Sequence, residues 1–294
     1  MKVLAILPPF LPVEMIRRSV SAVLPGIEVR TDEDFVGENL LGKMPNLKFI
    51  QVASTGYDNV DLEAVRRAGI MLANAPSSNK ESVAEHVIGM ILYFLKDFRY
   101  LDNQIRSGSW PMLTASRDLS GKIVGIVGMG AIGQRLAERL LPFGCSILYY
   151  DVRRISREME VRYGSMFTPL NELLSVSDII TLHVPLTDST RKMIGDHEFS
   201  LMKDGCMFIN TSRAEVVDGL ALLRAVEVGK IKAGIDVYEK EPPDFLSPIF
   251  RAENTLFTPH IAGVTLESQA RFIQETAANV LRYMQGLNPM NRVI

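Results

Sequence analysis

The segment SGKIVGIVGMGAIGQRLAERLLPFG, residues 120–144, constrains the fold more than any other part of the chain. The apolar run IVGIV passes through Gly128, Gly130 and Gly133 into a run of helical period. A buried strand, a tight turn and a helix N-terminus therefore follow one another without a break. In such a unit the first glycine permits the turn and the second lets backbone approach a pyrophosphate. The third lets helix and strand pack closely, and the helix N-terminus, carrying Ala131 and Ile132, offers amide donors and a positive dipole end.

The next strand, SILYYD, ends at Asp151, 18 residues past Gly133. A carboxylate there can accept both ribose hydroxyls of an adenosine half. It would also repel a 2'-phosphate, since a unit-charge pair at contact is worth roughly 4 kcal/mol near a protein surface. These residues favour NAD over NADP, with the alternative that Arg153 and Arg154 turn inward and welcome a phosphate.

Strand-like runs continue at Ile179 to His183, Cys206 to Asn210, Ala233 to Val237 and Thr255 to Phe257, separated mostly by helical patterns. Alternation of this kind predicts a doubly wound α/β sheet. A smaller alternating series, VLAIL, LKFIQVAS and IMLAN, precedes it, with helical period at Val13 to Leu24 and Leu62 to Ala68. Ser82 and Glu85 form a capping-box pattern ahead of a helix predicted to run from Val83 to about Ile105, where the chain crosses between lobes. A helix from Leu266 to about Gly286 is expected to return to the first lobe. The expected architecture is two Rossmann-like doubly wound parallel-sheet domains with a cleft between them. Residues 1–97 and 264–294 form a discontinuous substrate domain, and residues 98–263 a dinucleotide-binding domain.

With 294 residues, 47% of them hydrophobic, the chain can fill two cores. A net charge of -2, without long runs of one sign, argues against nucleic acid as a partner. Pro8, Pro9 and Pro12 interrupt the apolar start, which reads as a strand and a turn. The longest apolar run, Val87 to Leu95, is nine residues, short of the ~18 of a spanning helix. No membrane association is expected. Cys145 and Cys206 stand far apart in strand-like segments and read as core thiols, so a cytoplasmic protein is expected.

Three strands of the second series lead into loops rich in reacting groups. TSRAEVVDG presents Thr211 and Arg213, YEKEPP presents Glu239 and Glu241, and TPHIAG presents His260. If those strands are parallel, their carboxyl ends share the edge that carries the glycine turn, where ligands of open α/β sheets bind. A guanidinium can bind a carboxylate at two points and polarise an adjacent ketone. An imidazole can deliver a proton to the forming alkoxide, and a carboxylate on its far nitrogen fixes the tautomer. Taken singly, Arg213 reads as a surface ion pair, Glu241 as a solvated turn residue and His260 as an ordinary loop histidine. Their shared placement favours the reactive reading. Among the other histidines, His86 reads as structural, His183 as a residue at the adenosine side before Pro185, and His197 as exposed. No histidine pair has metal-ligand spacing, so no metal is expected.

Taken together, STGYDNVDL, VAEHVIGMIL, GIVGMGAIG with YYD, LHVPLTDSTRKMI, FINTSRAEVVD, GIDVYEKEPP and TPHIAG closely resemble the NAD-dependent D-2-hydroxyacid dehydrogenase family. The resemblance implies that Arg213 is the substrate arginine and that Glu241 and His260 are the acid/base pair. It implies a substrate-carboxylate loop at Ser54, Thr55 and Gly56, a place near the nicotinamide for Asp236, and a homodimer. With these, the cofactor-facing set becomes Gly128, Gly130, Ala131, Ile132, Gly133, Asp151, His183, Pro185, Thr211, Asp236 and His260. The chain departs from the family pattern with Ala214 where glycine is usual, and with Ser77 and Ser78 between Pro76 and Asn79.

The expected activity is hydride transfer between NAD(H) and a small D-2-hydroxy or 2-keto acid of the glyoxylate, hydroxypyruvate, pyruvate or glycerate type. Two alternatives stand beside it: an NAD(H)-sensing interaction protein of the corepressor type, and a sister dehydrogenase acting on phosphite.

Overall fold

The computed structural model describes residues 2–7, 27–31, 35–112 and 114–294, and the helical period read at Val13 to Leu24 lies outside them. Two compact units emerge: Met1–Lys80 with Val264–Ile294, and Glu81–Gly263.

The first unit contains a parallel sheet of β1 (Lys2–Leu7), β2 (Ile27–Thr31), β3 (Leu47–Val52) and β4 (Met71–Ala73), in the order β2-β1-β3-β4. Leu4 and Ile6 pack with Ile50, Val52, Val65 and Leu72 in its core. The helix Leu266–Met284 belongs to this unit, as its sequence predicts, and is started by a reciprocal cap between Thr265 and Ser268. Its apolar stripe meets β3, where Tyr283 stacks on Phe49 with centroids 4.7 Å apart. Asn279, fully buried, donates to Gln51 Oε1 at 2.9 Å and to the carbonyl of Met290 at 3.1 Å. It also accepts from the Met290 amide at 2.8 Å. One side chain thus joins a strand, a helix and the chain's last turn.

The second unit is a seven-stranded parallel sheet of β5 (Ile123–Val127), β6 (Ser146–Tyr150), β7 (Ser165–Phe167), β8 (Ile179–Leu182), β9 (Cys206–Asn210), β10 (Ile231–Ile235) and β11 (Thr255–Phe257). Its order is β11-β10-β9-β8-β5-β6-β7, so chain direction across the sheet reverses between β5 and β8. Successive side chains of a strand face opposite ways, and the cores follow that rule. Val124, Ile126, Met207 and Ile209 enter one cluster, while Val127, Cys206 and Phe208 enter the other.

Four readings differ from this structure. The helix Lys80–Leu95 buries Val83, Val87, Met90 and Ile91 with Val124 and Ile126, so it belongs to the second unit. The division therefore falls between Lys80 and Glu81 rather than at 97/98. Ser82 is a buried residue inside this helix and not its cap. The helix also stops at Leu95, because Asp97 takes a left-handed conformation (φ 55) before Phe98–Arg106 begins. Aspartate is among the few residues that visit that region at low cost. Finally, β10 ends at Ile235, which moves Asp236 out of the strand and into the following loop.

Asn279→Ala is expected to destabilise the first unit by about 2–3 kcal/mol, because Gln51 and the Met290 backbone then lose buried partners. Urea unfolding followed by Tyr and Trp fluorescence and circular dichroism checks this.

Candidate active site

All six strands β5, β6, β8, β9, β10 and β11 run parallel, so the loops at their carboxyl ends lie on one edge. Gly128 follows β5 with φ +101, and its amide donates to the carbonyl of Tyr150 at 2.8 Å. A methyl group there would stand 2.6 Å from the carbonyl of His183, and one on Gly133 would stand 2.2 Å from the carbonyl of Gly128. These two glycines close the turn onto its neighbours. Gly130 differs, because a methyl group there would meet nothing within 4 Å. It caps the helix Ala131–Leu140 without a side-chain bond, so no side chain of the cap competes for the first-turn amides, as an anion site at a helix N-terminus requires.

Asp151, at the end of β6, accepts from the Met129 amide at 2.7 Å and from the Arg153 amide at 3.1 Å. It thereby ties the glycine turn to its own loop. Arg154 is turned away into a two-point pair with Glu160, at 2.7 and 2.9 Å, and that guanidinium holds the Glu160 carboxyl down to about 2. His183 directly follows β8 and shares a hydrogen bond with the Thr181 hydroxyl at 3.0 Å; burial pushes its imidazole down to about 3. Pro185 follows on the exposed side, its carbonyl accepting from the Thr190 hydroxyl at 2.7 Å. Thr211 Oγ1 is buried with no partner, a polar atom left over for something outside the chain.

Asn210, the last residue of β9, shapes the turn that carries Arg213. Its Oδ1 accepts from the Ser212 amide and hydroxyl at 3.0 and 2.8 Å, and its Nδ2 donates to the Arg213 carbonyl at 2.9 Å. Arg213 Nη1 donates back to the Ser212 carbonyl at 2.8 Å. Ala214 opens the 3-10 turn Ala214–Val216, a helical conformation that alanine adopts without strain.

His260 and Glu241 do meet. His260 Nδ1 lies 2.7 Å from Glu241 Oε2, and both side chains are partly open to solvent. Glu241 Oε1 accepts from the Tyr238 amide at 3.1 Å, which fixes the carboxylate from its other side. The Tyr238 hydroxyl donates to the Thr258 carbonyl at 2.9 Å, and burial pushes this phenol up to about 12. His260 itself has φ 54, and its position depends on Asp236. That fully buried carboxylate accepts from the amides of Ile261 and Ala262 at 3.0 and 2.9 Å and from the Thr258 hydroxyl. His86, read from the sequence as structural, shares a hydrogen bond with Thr258 Oγ1 at 3.1 Å, and burial holds its imidazole below the usual range. Sequence reading missed Tyr238 and Thr258, although Thr258 opens the quoted TPHIAG. Glu239 is exposed beside Gly219.

Ser54, Thr55 and Gly56 lie in the first unit, after β3. Ser54 Oγ donates to the Gly56 carbonyl at 2.6 Å, Thr55 Oγ1 donates to Asn79 Oδ1 at 2.9 Å, and Asn74 Nδ2 donates to the Thr55 carbonyl at 2.8 Å. Ser78, where the sequence departs from the family pattern, donates to Glu275 at 2.5 Å and accepts from Arg271 Nε at 2.6 Å through its carbonyl. Among the described residues, no group of three or more His, Cys, Asp or Glu is placed to hold a metal ion.

Residues 88–262 match the family described as D-isomer specific 2-hydroxyacid dehydrogenase, NAD binding domain. The chain belongs to the D-isomer specific 2-hydroxyacid dehydrogenase family. It is an NAD-linked oxidoreductase of the 2-hydroxy and 2-keto acid class. A glyoxylate reductase of Aeropyrum pernix is 36% identical to this dehydrogenase over 269 residues, 88% of this chain and 80% of that protein. A glyoxylate reductase of Thermococcus litoralis is 38% identical over 269 residues, 88% of this chain and 81% of that protein. In fold the dehydrogenase is similar to a D-lactate dehydrogenase from Aquifex aeolicus, solved with NAD and lactic acid, at a TM-score of 0.86 and 32% identity over 96% of each chain. The open space at Gly130, the uncapped helix N-terminus and the unpartnered Thr211 hydroxyl fit a dinucleotide.

Gly133→Ala is expected to lower the melting temperature, because its methyl group meets backbone. Gly130→Ala should leave the melting temperature unchanged and weaken NADH binding at least about tenfold, read by nucleotide fluorescence titration.

Proposed function

We propose that this dehydrogenase reduces a small 2-keto acid of the glyoxylate, hydroxypyruvate or pyruvate type to the D-2-hydroxy acid, and that it also runs the reverse oxidation. The observation that carries this reading is the 2.7 Å contact between His260 Nδ1 and Glu241. A carboxylate on Nδ1 keeps the proton there and leaves Nε2 to hand its own proton to the forming alkoxide. In oxidation the same nitrogen takes the proton back, and Glu241 stabilises the imidazolium. Arg213 is assigned the substrate carboxylate and the polarisation of the neighbouring keto oxygen, tasks that suit a rigid, permanently charged fork. Ser54, Thr55 and Gly56 are assigned to the substrate carboxylate through backbone amides. Bound NADH supplies the hydride.

On this reading the first unit is the substrate domain and the second the dinucleotide domain. Gly128, Gly130, Ala131, Ile132 and Gly133 serve the pyrophosphate, Asp151 the adenosine ribose, and His183, Pro185, Thr211, Asp236 and His260 line the rest of the cofactor's path. A short substrate side chain is favoured by the relatives named glyoxylate reductase. A cytosolic compartment fits Cys145 and Cys206, both free thiols, which burial holds in the protonated form by pushing their pKa up.

A homodimer is part of the proposal. The helix Phe98–Arg106 buries none of its residues, and Phe98, Tyr100 and Ile105 are exposed with Trp110 and Met112, the last two at 78% and 81%. Apolar surface of this kind suits a second copy. Light scattering after gel filtration should give twice the chain mass, falling to one chain mass in Trp110→Glu with Phe98→Glu; a monomeric wild type would remove this part.

An NADH absorbance assay with a panel of 2-keto acids tests the activity. Turnover with at least one is expected, and none from folded protein that binds NADH would overturn the reading. His260→Asn should cut kcat at least about 100-fold and leave NADH affinity within about twofold. Arg213→Ala should raise KM and lower kcat together, because ground-state and transition-state binding are both lost.

A further inference from the structure

Beyond Asp151 the chain reads Val-Arg-Arg, and arginine is the side chain best shaped to grip a phosphate at two points. Arg154 is not spare, however. Its Nε and Nη2 donate to the two oxygens of Glu160 at 2.7 and 2.9 Å, and its guanidinium carbon lies 5.7 Å from the centre of the Phe167 ring. Glu160 is the unusual member of this pair, since its side chain is 1% exposed. It also accepts from the Tyr149 hydroxyl at 2.9 Å and from Arg157 at 3.4 Å. Tyr149, fully buried on β6, uses the same oxygen to accept from the Ile155 amide at 3.2 Å. The strand that ends in Asp151 thus also anchors, through Tyr149, the carboxylate that captures Arg154.

The pair is only half buried, the Glu160 side chain being 1% and the Arg154 side chain 57% exposed, so solvent screens the attraction and the net stability it adds is small. Such a pair does fix where a guanidinium can be. We propose that Glu160 is a positioning residue for cofactor choice: by holding Arg154 in a two-point pair, it withholds from the adenosine ribose one of the two guanidinium groups after Asp151 that could grip a 2'-phosphate, leaving Arg153 as the other. Discrimination against the phosphorylated dinucleotide is then set jointly, with Asp151 repelling the phosphate and Glu160 engaging one arginine that could otherwise pair with it. The inference rests on the assignment of Asp151 to the ribose made above.

The test is direct binding without substrate, titrating purified protein with NADH and with NADPH by nucleotide fluorescence, with thermal melts to certify folding. Glu160→Gln should tighten NADPH binding about tenfold and leave NADH within about twofold, the scale of one charge-assisted two-point contact. Arg154→Gln alone should leave both affinities within about twofold, because in the wild type that guanidinium is engaged elsewhere. The double variant should lose the gain. A folded Glu160→Gln with an unmoved NADPH to NADH ratio overturns the inference, and so does a gain that survives in the double variant. If Glu160→Gln does not fold, Arg154→Gln still decides: weakened NADPH binding there means that the guanidinium already reaches the phosphate, and the inference fails. Asp151→Ala in the same titrations separates the two readings. An unmoved ratio there overturns the ribose assignment and this inference with it, whereas a relaxed ratio there with an unmoved Glu160→Gln overturns the Glu160 lock alone.

Discussion

Parallel pairing in the seven-stranded sheet is the constraint from which the site follows. Each strand of such a sheet must be reached by a crossover, so every strand delivers its next loop to the same edge. The reversal of order between β5 and β8 separates the helices on either side and leaves room at that edge. Register matters as much as direction. Pairing of Val124 with Ile147 and with Ile179 sends Val124 and Ile126 to one core and Val127 to the other, and a slip of one residue would turn every strand inside out.

Loops at such an edge need internal support, and three carboxylates provide it here. Asp151 binds the glycine turn through the Met129 amide, Asp236 binds the His260 loop through two amides and a hydroxyl, and Glu160 binds the loop after β6 through Arg154 and Tyr149. Burial of Asp236 and Glu160 would be prohibitive without those partners. Holding His260 at φ 54 costs about 1–2 kcal/mol, which the three hydrogen bonds of Asp236 offset. The loop so held carries the imidazole whose Nδ1 meets Glu241 Oε2 at 2.7 Å.

Much of this is legible along the chain. IVGIV, SILYY, CMFIN and TLF each form the strand that their apolar runs predict, because burial on both faces writes a continuous apolar segment. Ile27–Thr31 and Ser165–Phe167 escape notice, the second because three residues carry no period, the first although it carries the alternation of a half-buried strand. The helix read through to Ile105 fails at Asp97, whose left-handed backbone is a local choice that apolar spacing does not encode. Asp236 and Glu241 both sit in a stretch that reads as strand and turn, and the two-residue difference in the end of β10 decides that Asp236 supports a loop instead of lining a strand.

By itself the sequence determined most of the strands and helices, the glycine turn, the acidic residue at the end of the following strand and the candidate side chains of the site. These are local properties, set by period, turn chemistry and residue type. Only the tertiary structure decided that His260 touches Glu241, that Asp236 holds the loop carrying His260, that His86 reaches Thr258, and that Arg154 belongs to Glu160. Those pairs join residues that the chain leaves apart, and the sheet's register, rather than any one segment's preference, determines which of them meet.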